Sequence, residues 1–281
     1  MFIISIYIYK YRGLFEMKLS EKHKHIYDNY MNSIKKMNFD IKVIKILSRF
    51  TIKKELSCEQ EVLAIEGNMT DVAKANKKRS YTFYNGDVYV GKMLNGKMNG
   101  KGVYMFSDGN WAGQEYIGSF VEDMKSGKGM CTFPNGSMYI GEWDKDKIHG
   151  IGKMVYQSKD EYVGDWDEGQ KQGMGIYKWD EGSVYVGQFR NNKMEGKGTC
   201  YDRFGKIIYK GEWKNNLSHG KGVYIWDEHR KYVGEFLYGK KHGTGTFYID
   251  GEIIYKGEWR FDKPCIFDKT IDELKSAYFT E

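Results

Sequence analysis

Residues 161–185 read EYVGDWDEGQKQGMGIYKWDEGSVY. Tyr162, Gly164 and Trp166 stand at alternate positions, and so do Gly173, Gly175, Tyr177 and Trp179. Side chains in an extended strand point alternately to opposite faces, so each set shares one face. The six residues between the sets, 167–172, are rich in Asp, Glu, Gly and Gln and read as a hairpin loop. A second turn, Asp180-Glu181-Gly182, leads back to Tyr185, where the pattern starts again.

The pattern recurs along most of the chain. Tyr-x-Gly occurs at Tyr89/Gly91, Tyr116/Gly118, Tyr139/Gly141, Tyr162/Gly164, Tyr185/Gly187, Tyr209/Gly211, Tyr232/Gly234 and Tyr255/Gly257. Successive tyrosines lie 27, 23, 23, 23, 24, 23 and 23 residues apart. Two residues after the glycine comes an aromatic ring in every copy but the first, where Met93 stands. Gly-x-Gly follows in the first seven copies, as in Gly100/Gly102 and Gly220/Gly222. The longer first spacing places a small insertion around Trp111–Glu115. Below, each copy is numbered from its tyrosine as position 0, with glycines at 2, 11 and 13.

Glycine in a strand interior ordinarily weakens it. Between aromatic residues it has a use, because its missing Cβ lets a ring lie flat on the backbone and restores buried area. Each buried ring removes roughly 150–250 Å² from water. One copy cannot bury its own rings, so stability must come from stacking copies. The expected fold class is mainly β: an elongated single-layer antiparallel sheet of about seven stacked hairpins plus a partial one. At about 4.8 Å per strand, seven two-stranded copies give a rod of roughly 70 Å.

These residues resemble the MORN (membrane occupation and recognition nexus) repeat, approximately Tyr-x-Gly-x-Trp-x-x-Gly-Lys-x-His-Gly-x-Gly. Copies six (Tyr209 to Gly222) and seven (Tyr232 to Gly245) come closest, and the resemblance covers residues 84–263. Copy eight departs after Lys263, where Pro264, Cys265 and Ile266 replace the expected Lys-His-Gly. Proline cannot donate to a ladder, so the array is expected to end there. The domain reading is 1–80 a basic helical segment and linker, 81–265 the repeat array, and 266–281 a C-terminal helix.

Charge divides the chain in the same place. Residues 1–80 hold 16 Lys+Arg against 9 Asp+Glu, while the rest holds 28 against 29. Residues 20–37 and 41–54 read as helices, the second with Val43, Ile44, Ile46, Leu47 and Phe50 on one face. A short helix follows from the Ser57–Gln60 capping box to Gly67, and Thr270–Glu273 opens a helix with Ile271, Leu274 and Tyr278 on one side. Two readings stand for these ends. They cap the open edges of the ladder, or the basic residues Lys42, Lys45, Arg49, Lys53, Lys74, Lys77, Lys78 and Arg79 meet an anionic membrane, the helix at 41–54 fitting a calmodulin-like groove as another basic-face option. The apolar run Phe2–Tyr9 is a poor signal peptide, and Met17 is an alternative start.

No catalytic chemistry is expected. His149, His219 and His242 share one repeat position with Asn99, Gln172 and Glu195, which reads as turn hydrogen bonding and not as metal ligation. Cys131 and Cys200 read as substitutes for a core aromatic, too far apart for a disulfide. Gly100-Lys-Gly102 and Gly127-Lys-Gly129 lack the phosphate-loop pattern. No cofactor, small-molecule substrate or nucleic acid is expected, since the repeats lack a basic stripe.

If positions 3 and 12 face each other within a hairpin, Glu212/Lys221, Gln188/Lys197 and Ser119/Lys128 pair on a solvated face. The other face carries the aromatic row: Tyr89, Tyr116, Tyr139, Trp143, Tyr162, Trp166, Tyr177, Trp179, Tyr185, Tyr209, Trp213, Tyr224, Trp226, Tyr232 and Trp259. That row is the core and, where incompletely covered, a groove for an apolar helix or peptide. The expected role is a cytoplasmic scaffold that binds protein partners or itself. Resemblance to MORN proteins, which include ciliary, cytoskeletal and membrane-junction components, implies a cytoskeletal, ciliary or cortical setting. The alternative is a peripheral membrane module acting through the basic N-terminal segment.

Overall fold

The computed structural model describes residues 80–265. The helices expected at 20–37, 41–54, 57–67 and 270–278, and the basic residues from Lys42 to Arg79, lie outside them. The described residues form one antiparallel sheet of 17 strands. Each strand pairs with the one before and after it in sequence, from β1 (Ser80–Thr82) to β17 (Lys263–Pro264).

Each copy contributes a seven- to nine-residue strand carrying Tyr-x-Gly and the position-4 residue and, in copies one to seven, a nine- or ten-residue strand carrying Gly-x-Gly. In copy one these are β2 (Val88–Leu94) and β3 (Lys97–Met105), and in copy four β8 (Glu161–Asp167) and β9 (Gln170–Lys178). The β1 pairing extends the sheet one strand before the first copy, at the boundary expected between linker and array. At the far end β16 (Glu252–Arg260) pairs on its outer side with two residues of β17.

The connection within a hairpin is shorter than the six residues expected. Only two residues turn, and both have positive φ in all eight copies: Asn95 at 51° and Gly96 at 77°, Asn215 at 51° and Asn216 at 69°. That is the I′ geometry whose twist matches the flanking strands. The other four residues are absorbed into the strands, with a bulge at position 11. There Gly100, Gly127, Gly150, Gly173, Gly196, Gly220 and Gly243 take φ from 55° to 76°. The first-copy insertion is the loop between Met105 and Glu115, with a single 3-10 turn, Gly109–Trp111.

The bulge also corrects the expected cross-strand pairs. It shifts the register inside each hairpin, so Glu212 lies opposite His219 and not Lys221. The position-12 lysine instead faces position 3 of the next copy: Lys128 opposite Glu142, Lys197 opposite Glu212, and Lys221 opposite Glu235. Within the hairpin the position-3 side chain accepts from backbone N–H groups at the bulge. Met174 N donates to Asp165 Oδ2 at 2.9 Å, and Lys197 N to Gln188 Oε1 at 2.8 Å.

Neighbouring turns are stitched as well. The position-7 side chain of one copy accepts from the position-9 N–H of the copy before, as in Lys171 N to Asn192 Oδ1 at 2.9 Å and Lys241 N to Asp262 Oδ1 at 2.9 Å. The position-7 N–H donates back to the same residue's carbonyl. Stability is thus a sum of local interfaces between copies.

Candidate partner-binding face

The tyrosines anchor one face. In each of the eight copies the ring lies over the position-2 glycine, and in the first seven over the position-13 glycine as well. A Cβ on Gly91 would stand 2.3 Å from the Tyr89 hydroxyl, and one on Gly102 would stand 2.4 Å from the Tyr89 ring. Each hydroxyl donates to the carbonyl of position 3, from Tyr89 to Lys92 at 3.1 Å through Tyr162 to Asp165 at 2.9 Å to Tyr255 to Glu258 at 2.9 Å. The buried phenol is therefore satisfied without solvent.

The tyrosine rings are joined by the position-4 rings. Tyr116 meets Phe120 of its own copy at 5.1 Å and Trp143 of the next at 5.2 Å. Tyr139 meets Trp143 and Trp166, Tyr185 meets Phe189 and Trp213, and Tyr232 meets Phe236 and Trp259. From Tyr89 to Trp259 the contacts are edge-on, with centroids 5.0–5.7 Å apart. Such pairs contribute about 0.5–1.5 kcal/mol each beyond their burial. Trp143, Trp166 and Trp259 also donate their indole N–H to a glycine carbonyl 14 residues earlier.

A repeat-family model described as MORN repeat matches residues 89–111, 116–138, 139–161, 162–184, 185–203, 209–228, 232–252 and 255–265, more than half of the chain. The chain belongs to the MORN repeat family. No curated protein matches it. Among solved structures it is similar to the TCP10 domain of CPAP from Danio rerio, with 17% identity, TM-score 0.32, and 64% of this chain and 88% of that one covered. The TCP domain of SAS-4 (dCPAP) from Drosophila melanogaster, solved with a proline-rich motif of Ana2 (dSTIL), is 13% identical with TM-score 0.30, covering 46% and 68%.

In the MORN sheet most of the aromatic row is core. Tyr89, Tyr116, Tyr139, Tyr162, Tyr185, Tyr209, Tyr232, Trp143, Trp166 and Trp259 are buried. The glycines beneath the tyrosines, Gly91, Gly118, Gly141, Gly164, Gly187, Gly211, Gly234 and Gly257, have no room for a side chain. Cys131 is buried at position 15 among the rings, as its reading as an aromatic substitute requires, and burial pushes its thiol up to about 11. Tyr177, Trp179, Trp213 and Tyr224 are half-buried. Trp226 is 40% and Phe204 67% exposed.

The row opens at copies five to seven. Ser218 stands at position 9, where larger side chains fill the other full copies, and Cys200 stands at position 15, where every full copy but this one and copy two carries a larger side chain. The buried aromatic cluster divides here, one part ending at Phe189 and the next beginning at Tyr209. The Trp213 indole N–H, next to this opening, finds no acceptor among the described residues.

Position 9 was not singled out in the sequence, although Lys125, Lys171 and Lys241 recur there. The Lys171 ammonium lies 4.7–6.0 Å from the ring centres of Tyr156, Tyr162, Tyr177 and Phe189, and Lys241 4.8 and 5.1 Å from Trp226 and Trp259. Burial lowers the pKa of both lysines. Copies two, four and seven thus fill the slot between rings with an intramolecular cation.

His149 approaches Asp167 at 3.3 Å, while His219 meets Tyr238 edge-on and His242 meets Phe261 at a tilt. No group of three or more His, Cys, Asp or Glu among the described residues is placed to hold a metal.

Proposed function

We propose that this MORN protein is a non-catalytic scaffold that binds a segment of a protein partner on its aromatic face at copies five to seven. The observation that carries the reading is the opening there: Phe204 and Trp226 are 67% and 40% exposed, and Trp213 and Tyr224 are half-buried beside the small side chains of Cys200 and Ser218. Exposed contiguous rings rimmed by polar side chains are the usual mark of a protein-binding surface. Ring-lined grooves of this kind take an apolar helix face or an extended peptide. Family membership supports a cytoskeletal, ciliary or cortical setting in the cytoplasm. Proximity labelling in the native cell, with parent protein beside Phe204→Ser/Trp226→Ser, tests both parts. The reading expects cytoskeletal or cortical neighbours that drop out in the variant. An unchanged neighbour set would overturn it.

A second reading rests on the charge division, +7 in residues 1–80 against −1 in the rest. Basic residues near an anionic surface contribute about 1 kcal/mol each, so the N-terminal segment is the membrane contact if there is one. Full-length protein should sediment with phosphatidylserine vesicles, and a variant with Lys42, Lys45, Arg49 and Lys53 changed to Glu should not. Equal sedimentation of the two would remove this reading.

A further inference from the structure

The face opposite the rings carries its own pattern. Positions 1 and 14 face each other there and form an aliphatic stripe through copies one to five, including Val103, Ile117, Met130, Val163, Ile176 and Val186. From copy six the same positions are mixed, with Lys210, Thr246 and Lys256 beside Val223 and Val233. The burial changes at the same place. Val163 and Val186 are 6% and 5% exposed, whereas Val233, the same residue at the same repeat position, is 39% exposed. Cross-strand neighbours do not explain the difference. Val186 lies between Ile176 and Thr199, and Val233 between Val223 and Thr246. Among the described residues every strand belongs to the one sheet, so no second layer of strands lies over either valine.

Lys153 is an independent sign of cover. It sits inside the stripe at position 14, only 5% exposed, with its ammonium 3.2 Å from Glu161. A buried ammonium needs such a partner, whereas one on an open sheet face would stay in water.

We propose that the stripe over copies one to five is the seat of the chain's own residues 41–66, whose apolar residues Val43, Ile44, Leu47, Phe50, Val62 and Ile65 cover it. Three observations choose this occupant. The chain enters the sheet at Ser80, beside copy one, where the stripe begins. From β3 to β10 (Val184–Arg190) the stripe crosses seven strand spacings, roughly 34 Å. Residues 41–54 and 57–66, read as two helices, span about 21 and about 15 Å, together the length of the stripe when laid end to end. The 16 residues after Cys265 start seven strands beyond β10, and as helix they reach only about 24 Å. Docking this way turns Lys42, Lys45, Arg49 and Lys53 outward and leaves the aromatic face to partners.

The test is methionine oxidation by dilute peroxide in the full chain. Met130 lies in the stripe and Met154 at position 15 on the aromatic face, both buried. In Leu47→Asp/Phe50→Asp, which leaves every sheet residue unchanged, Met130 sulfoxide should form at least fivefold faster and Met154 at the parental rate. An unchanged Met130 rate overturns the proposal. Acceleration at both methionines means that the sheet itself has loosened, and a photocrosslink then decides. A photoreactive side chain at Val163 should capture residues 41–66 of the same chain, and one at Val233 should not. Capture of residues 1–38, of residues 266–281 or of a second copy overturns the proposal, as does no capture.

Discussion

Tyr162 and Phe189 lie 27 residues apart and meet edge-on, with ring centroids 5.0 Å apart and planes at 80°. Tyr162 makes the same kind of contact with Trp166 of its own copy, at 5.0 Å and 90°. One tyrosine thus couples two copies, and repetition of this relationship makes a chain of hairpins into a single sheet.

The coupling depends on glycine beneath the ring. A Cβ on Gly164 would stand 2.6 Å from Gly175 Cα, the Met174 carbonyl and the Tyr162 hydroxyl. Two of these are backbone atoms that cannot swing away. Gly164→Val should therefore destabilise the sheet by at least about 1–3 kcal/mol, the usual cost of overpacking. Urea unfolding measures it, and a variant as stable as the parent would show that the ring does not lie there.

The hydroxyl contributes separately from the ring. Tyr162→Phe keeps the edge-on contacts but leaves the Asp165 carbonyl without its donor. A loss of about 0.5–1.5 kcal/mol is expected, with near-UV circular dichroism unchanged. A neutral result would mean that water replaces the hydroxyl.

The turns are not equally relaxed. Tyr238 has φ 51° at the first turn position, where Asn95, Asn191 and Asn215 stand in other copies. Left-handed backbone costs a bulky L-residue about 1–2 kcal/mol, and asparagine tolerates it best after glycine. Tyr238→Asn should raise stability by about 1 kcal/mol, read as a higher urea midpoint with an unchanged slope. A lower midpoint would mean that the His219–Tyr238 contact outweighs the strain.

The spine also sets the alkaline limit of the fold. Burial pushes the Tyr89 phenol up to about 12 and likewise raises Tyr162, Tyr185, Tyr209 and Tyr232. A raised folded value favours the neutral phenol, so this contribution is complete below the unfolded value of about 10. It is lost as pH rises through the folded values. Phenolate absorbance at 295 nm should therefore show a late cooperative step near or above pH 12, coincident with loss of strand circular dichroism. Complete titration near pH 10 in a still-folded protein would contradict the burial.

Much of this was legible in the residues. The strict spacing of Tyr139, Tyr162 and Tyr185 set the copy length, and the alternation within Tyr162–Trp166 set the strand. The ring-over-glycine packing followed from Gly164 lying between aromatic residues. The register was not legible, because the bulge at Gly220 depends on a positive φ that glycine permits without requiring. Without the bulge, Glu212 seemed to face Lys221 of its own copy instead of the neighbouring Lys197. The lysine slots were missed for another reason. Lys171 reads as a turn residue until the bulge brings Tyr177 and the next copy's Phe189 around it. Val163 and Val186 read as ordinary alternate residues until the register sets them opposite Ile176 in one continuous stripe.

The most direct measurement of the central claim is the Hα chemical shifts of the fifteen glycines at positions 2 and 13, assigned by NMR. Protons held against the face of a tyrosine ring feel its ring current. The structure requires upfield shifts at Gly91, Gly102, Gly164, Gly175 and their equivalents through Gly257, with the turn glycines Gly96 and Gly169 unshifted. Ordinary strand shifts at the fifteen positions would contradict the spine, whatever the sheet topology proved to be.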